Sequence, residues 1–269
     1  MSERPELWVV RAGQVPYLDA RDEQKRLEAA RSEGAVPDLL LILEHPPVYT
    51  KGRRSEPAHL PMGEDWYRMQ GIEVAETDRG GQVTYHGPGQ LVAYPIIDLA
   101  SLRDRRTPGR EAEEVARVDV VGFVRKLEEV MIASLGSYGI PAQVFPGLTG
   151  VWTAGEPPIA PGEVGPQRTP IEPGILPGGS ARKIGSIGIH VNKGITTHGL
   201  AINVNNDLQP FEWIVPCAIE GVRMTSVGRE LGGEQDMGAF ASALVGRFAQ
   251  TFDREAIEVD PSRLAGARA

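Results

Sequence analysis

Cys217 is the single cysteine of this 269-residue chain, and Arg79 to Leu99 (R-G-G-Q-V-T-Y-H-G-P-G-Q-L-V-A-Y-P-I-I-D-L) is its densest run of unusual residues. A thiol does covalent chemistry only as the thiolate. At an unperturbed pKa of about 8.5 only a few per cent is ionised at neutral pH, and a neighbouring ammonium raises that share. Taken alone, such a cysteine is by default a small buried hydrophobe. Its setting adds something: Pro216 ends an aromatic segment, and Ala218-Ile219-Glu220-Gly221 offers a tight turn whose N–H groups could face an acyl oxygen. In the dense run, Arg79, His86 and Gln90 bring polar groups close together, while Gly80 and Gly81 let backbone approach a ligand closely. The plainer reading is a structural hairpin with a satisfied histidine. A plain hairpin, however, needs neither Arg-Gly-Gly before it nor a His and a Gln bracketing its turn. His86 and His198 could orient a carbonyl or a lysine. Neither has metal-ligand spacing to other Cys, His or acidic groups, so no metal site is expected.

These residues need elements to position them. Val83 to Tyr85 and Leu91 to Ile97 suit strands, and Gly87-Pro88-Gly89 between them is turn chemistry, so a β-hairpin is the default expectation. Leu39 to Leu43 is a continuous apolar run of strand length, ended by Glu44-His45-Pro46-Pro47 because consecutive prolines cannot continue a ladder. His45 there is read equally as lining a substrate or as a cap. Leu7 to Val10 and Ile72 to Glu76 read as short strands. Lys183 to His190 alternates like a strand, and Gly194 to Val204 is its expected antiparallel partner. Helices are expected over 17–33, 118–138 and 236–252, the last two with broad apolar faces that read as core. Residues 154–179 shift to Pro, Gly, Glu and Thr without periodicity and read as a flexible surface insertion, passive rather than a lid. No repeat and no linker divides the chain, so one catalytic domain is expected over 1–269.

The apolar share of 41% and charged share of 24% are ordinary for a soluble globular protein. No 18-residue apolar run exists, so no membrane span is expected. The N-terminus lacks a signal-peptide core, and one cysteine precludes an internal disulfide, which together point to a reducing cytoplasm. A net charge of −8 argues against nucleic-acid binding.

The run R-G-G-x-x-T-Y-H-x-x-G-Q-x-x-x-Y resembles the signature of the octanoyltransferase family, the lipoyl(octanoyl) transferases also called lipoate–protein ligase B, with Arg79, Gly80, Gly81, Thr84, Tyr85, His86, Gly89, Gln90 and Tyr94 at its fixed positions. E-H-P-P-V-Y-T at 44–50, the lysine opening 183–190 and H-G-L-A-I-N at 198–203 are similar to further motifs of the family. P-C-A-I at 216–219 is similar to its P-C-G-I, with Ala218 in place of the glycine, and the 154–179 insertion replaces a shorter turn.

The resemblance implies an α/β fold: a central mixed, mostly antiparallel sheet flanked by helices, as in biotin and lipoate ligases. It implies transfer of an octanoyl group from the phosphopantetheine arm of acyl carrier protein to a lysine on lipoyl domains of 2-oxoacid dehydrogenases and on glycine cleavage H protein. No permanently bound cofactor is required. By resemblance alone, Cys217 is paired with Lys183 as nucleophile and acid/base. A desolvated amine at 183 would take the proton of the target lysine, whose ordinary pKa near 10.4 otherwise opposes attack at pH 7 by roughly 4–5 kcal/mol. Substrate-binding positions on the same basis are Arg79, Gly80, Gly81, Tyr85, His86, Gly185, Ser186, Ile187, Gly188, His198, Gly199, Leu200 and Ala201. An octanoyl chain, worth about 5 kcal/mol when buried, calls for an apolar tunnel. Glycines 80, 81, 185 and 188 would leave room for it, unless they serve bulges in a twisted sheet, and Tyr85 and Tyr94 would be its walls. Since the implied partners are acidic, docking would use Lys51, Arg53 and Arg54, or Arg103, Arg105, Arg106 and Arg110, each otherwise a solvated surface. Two other enzymes compete: an ATP-dependent lipoate or biotin-type ligase, which has no use for Cys217, and a thioester hydrolase using Cys217 with His86 or His198. A non-enzymatic acyl-carrier binding module would form no covalent adduct.

Overall fold

The computed structural model describes residues 4–102, 119–155, 180–215 and 222–265. Its central strands are the apolar runs. In β2 (Asp38–Glu44) and β6 (Gln90–Ile96) nearly every side chain is buried, because both faces of their sheet are covered. Alternation then sorts the side chains. Leu40, Ile42, Leu91 and Ala93 face the layer made by α3 (Val120–Gly136) and α6 (Met237–Thr251). Leu39, Leu41, Leu43, Val92, Tyr94 and Ile96 face the other way, toward α1 (Tyr17–Ser32).

Around this pair the sheet runs in the order β11-β1-β2-β6-β10-β9-β8-β7, with β1 at Glu6–Gln14, β7 at Ala142–Phe145, β8 at Leu148–Thr153, β9 at Lys183–Asn192, β10 at Ile195–Asn203 and β11 at Glu255–Glu258. Only β1 pairs in parallel, with β2 and β11. The expected mixed, mostly antiparallel sheet between helices is therefore present, and so is the β9–β10 pair, in register from Asn192↔Ile195 to Gly185↔Ile202. The short strands β7 and β11 were not legible in the sequence. Residues 156–179, most of the expected insertion, lie outside the described residues.

A second sheet has three strands in the order β4-β3-β5, from Glu73–Glu76, Val48–Lys51 and Val83–His86, with the short helices α2 (Glu64–Met69) and α4 (Gln209–Glu212) beside it. Here the structure corrects one expectation: the strands flanking Gly87-Pro88-Gly89 do not form a hairpin. β5 pairs with β3 of the small sheet, and β6 pairs with β2 and β10 of the large one. The turn does close, with the Gln90 N–H donating to the Gly87 carbonyl at 3.1 Å, but it sends the chain between sheets. Gly89 has φ +83° and leaves no room for a side chain, since a Cβ would lie 2.7 Å from the Asn206 nitrogen. The Gly89 carbonyl accepts from the Val204 and Asn205 N–H groups, so the end of β10 takes up the chain that a hairpin would have folded back.

The other crossing, Glu44-His45-Pro46-Pro47, runs alongside. The Glu44 carboxylate accepts from the Gly89 N–H at 2.6 Å and joins the two crossings. His45 is fully buried between them. Its Nδ1 is 2.7 Å from the Val15 carbonyl, which can only accept, so Nδ1 carries the proton and Nε2 accepts from the Tyr94 hydroxyl at 2.7 Å. Burial pushes the His45 imidazole down to about 4.

That depression fixes the sign of an acid effect. Between pH 6.5 and 4 the unfolded chain takes up a proton that folded His45 refuses. Its contribution to stability is therefore complete above about 6.5 and is lost as pH falls toward 4, by roughly 3 kcal/mol at most. Urea midpoints measured from pH 7.5 to 4.5 are expected to fall, and to fall less steeply in His45→Gln. A flat wild-type profile would contradict this.

Candidate active site

Between the two sheets lies a cavity of about 990 Å³. The Arg-Gly-Gly loop forms one side of it. The Gly80 N–H donates to the Ile189 carbonyl of β9 at 2.9 Å, and Arg53 and Arg54 N–H groups donate to the Arg79 and Gly81 carbonyls. The Arg79 guanidinium turns back to the small sheet, where Nη2 donates to the Thr50 carbonyl and hydroxyl, each at 2.7 Å. Arg79 thus buckles the loop onto β3.

The opposite wall is made by β9 and β10. Lys183, Ser186, Ile187 and Gly188 on β9 line the cavity, as do His198, Gly199, Leu200 and Ala201 on β10, with Arg79, Gly80, Gly81 and His86 across from them. Two expected positions lie elsewhere. Tyr85 points away from the cavity, into the small sheet's core against Tyr49 and Phe211. Strand alternation contributes to this, since its immediate neighbours Thr84 and His86 turn to the cavity. Gly185 serves packing: a Cβ there would sit 2.1 Å from the Met131 methyl of α3. Gly188 lines the cavity, yet the space beside it is filled by the Arg79 side chain, whose Cδ is 3.1 Å from where a Cβ would stand. Room at 185 and 188 is therefore used by protein atoms. Tyr94, expected as a wall, is one.

Lys183 opens β9, 2% exposed. Its ammonium donates to the Thr149 carbonyl at 3.1 Å and stands 5.4 Å from the centre of the Trp152 ring. Its backbone is held by the segment after residue 221, with the Lys183 N–H donating to Arg223 and the Thr225 N–H to Lys183. The apolar side chains of Val120, Val124, Leu148, Ile187 and Leu200 contribute to the same cavity. Cys217, the residues 218–221 after it, and the second basic cluster at Arg103–Arg110 lie outside the described residues.

At the histidine end burial favours neutral imidazoles, beside an ionised Asp78. His86 is buried, and that burial holds its pKa well below the usual histidine value. The Gln90 carbonyl oxygen accepts from its Nδ1 at 2.6 Å, which leaves Nε2 as an acceptor. Gln90 is fixed in turn by donating to Asn203 at 2.9 Å. Burial likewise pushes the Tyr17 phenol up. His198 has φ +57°, with its backbone N–H donating to the Gln24 side chain at 2.6 Å. Its Nε2 meets Asp78 at 2.8 Å, and that hydrogen bond holds the Asp78 carboxyl well below the usual range. Tyr17 and Asp78 were missed in the sequence. Asp78 adjoins Arg-Gly-Gly and was findable there, whereas Tyr17 opens a helix with no local mark of function.

Of the first basic cluster, Lys51 is occupied by Glu64 and Glu76, while Arg53 and Arg54 remain on the cavity rim. Among the described residues no three metal-ligating side chains come together, and no helix is long and apolar enough to cross a membrane.

The lipoyl protein ligase A/B catalytic domain family matches residues 16–249. An octanoyltransferase of Acidobacterium capsulatum is 40% identical over 81% of this chain and 78% of its own. One of Roseiflexus sp. is 39% identical over 93% and 88% respectively. A bi-partite lipoate protein ligase from Thermoplasma acidophilum superposes with a TM-score of 0.64 at 17% identity, covering 98% of this chain and 91% of its own. A lipoate–protein ligase A bound with ATP gives a TM-score of 0.61 at 19% identity over 98% and 93%; both establish a shared fold. The match along the chain, together with the motif residues gathered on one cavity, makes this protein a member of the octanoyltransferases within the lipoyl protein ligase A/B catalytic domain family.

Proposed function

We propose that the protein takes an octanoyl group from the phosphopantetheine thioester of acyl carrier protein, holds it on Cys217, and passes it to a lysine of lipoyl domains or glycine cleavage H protein. The observation that carries this reading is the buried ammonium of Lys183 on a cavity to which Leu148, Ile187 and Leu200 contribute apolar side chains, at the place where the family motif has a lysine. In the first half-reaction the Cys217 thiolate attacks the thioester carbon, the carbon–sulfur bond to the carrier breaks, and the carrier thiol leaves with a proton from Lys183. Exchange of one thioester for another is nearly isoenergetic, so no ATP is needed. In the second, the target amine attacks the acyl-enzyme carbonyl, Lys183 takes its proton, and Cys217 leaves as thiolate. The pairing is supported by the backbone bonds from Lys183 to Arg223 and Thr225, which anchor the chain six residues after the thiol.

The competing enzymes fit less well. A ligase would use Arg79 toward phosphate, but its guanidinium is directed to Thr50 and the Gly80 carbonyl. For a hydrolase, His198 pairs with Ile189, six residues or about 20 Å along β9 from Lys183, and its Nε2 is already taken up by Asp78.

Two results are expected. Intact-mass analysis after mixing with octanoyl-loaded carrier gives one octanoyl adduct on wild type and none on Cys217→Ala; an adduct on that variant refutes the nucleophile. Lys183→Ala slows both adduct formation and its transfer to a lipoyl domain by about 10²–10⁴-fold in single-turnover assays, and transfer at the wild-type rate refutes the acid/base role.

A further inference from the structure

The Lys183 ammonium donates to the carbonyl of Thr149 at 3.1 Å. The N–H of that same peptide unit, belonging to Gly150, donates to Glu128 Oε1 at 3.2 Å. Glu128 is a carboxylate on α3, only 2% exposed, whose other oxygen is 2.6 Å from the Arg125 guanidinium at the protein surface. Lysine, peptide and carboxylate thus form a chain of charge-assisted bonds with one peptide group as its middle member. Positions 149 and 150 are shaped for it: Gly150 has φ +105°, and a Cβ there would lie 2.5 Å from the Gly185 carbonyl and 3.0 Å from the Lys183 Cε. Ordinary packing of a helix on a strand does not require a buried acid at this point.

We infer that Glu128 is a positioning residue for Lys183, acting through the Thr149–Gly150 peptide, and this rests on the acid/base role proposed for that lysine. The carboxylate fixes the peptide's orientation and polarises it, which strengthens the carbonyl as an acceptor for the ammonium. It holds the amine in one place. Arg125 opposes that charge. The other charged groups on elements packed around the lysine, among the described residues, include Lys126 and Glu129 on α3, Arg223, and, on α5 (Val227–Leu231), Arg229 and Glu230, the last taken up by Arg182 and Thr225.

The test reads the amine directly. The chain has five lysines, so protein labelled with 13C-lysine gives few signals, and Lys183→Arg assigns the one of interest. Glu128→Gln keeps an oxygen for the Gly150 N–H but removes the charge, so the Lys183 signal is expected to titrate at lower pH than in wild type. Arg125→Gln is expected to move it upward. The acidic limb of the transfer rate should follow in each case, at unchanged KM. Glu128→Ala, which also frees the peptide, should lower kcat about tenfold beyond Glu128→Gln. Midpoints unmoved in both charge variants, or moved the same way, overturn the relay, whatever the effect on melting temperature. Midpoints that move while the rate profile stays fixed leave the relay standing and refute Lys183 as the base.

Discussion

The structure depends on two chain crossings made side by side. β2 and β6 are neighbours in the large sheet, β3 and β5 are neighbours in the small one, and the chain passes between sheets once after β2 and once before β6. Two prolines end the first strand, Gly89 permits the second turn, and the Glu44 carboxylate bonds one crossing to the other. Because both crossings occupy the same seam, the sheets open away from it and leave a space walled by the Arg-Gly-Gly loop, β9 and β10. The buried neutral histidines and tyrosines sit at this seam. The lysine sits at the far end, where the strands have only helix and loop around them. A cavity with an ammonium near apolar side chains at one end and a hydrogen-bonded cluster of buried rings with Asp78 at the other follows from that single arrangement.

Much of the wall was legible in the sequence, because the motif residues are contiguous and strands display contiguous residues to one space. Ser186 to Gly188 and His198 to Ala201 came as two strands, and the alternation that marks them as strands also pairs them correctly. The hairpin was misread for a physical reason. Gly-Pro-Gly specifies that the chain turns, but the strand each flank joins is decided by distant partners, here Val48–Lys51 and Asp38–Glu44. Tyr85, placed at the site by resemblance, takes its orientation from the same pairing. Once β5 belongs to the small sheet, its odd residue faces Tyr49 and Phe211.

The glycines divide in the same way. Sequence shows that a side chain is missing, never what fills its place. At 185 the occupant is Met131, at 188 it is Arg79, and at 199 a Cβ would lie 2.2 Å from the Ala93 carbonyl of the adjoining strand. The polar contacts that order the cavity were hidden for a related reason. Gln24 falls on the inner stripe of α1 and reads as a weak point in it, yet it reaches the backbone of a residue 174 positions away. Glu128 likewise reads as one charge among the polar positions of an amphipathic helix.

His198 carries a side chain in a backbone region that costs most residues about 1–2 kcal/mol. Its amide is satisfied from another layer of the fold, by Gln24 midway along α1, and Tyr17 at the start of that helix reaches the same cavity. The outer helix and the inner strand are therefore latched at the floor of the pocket. Sliding the helix by one turn would free the strained amide, unseat the imidazole from Asp78 and withdraw a phenol together, so the pocket's shape at this end is governed from the protein's exterior layer.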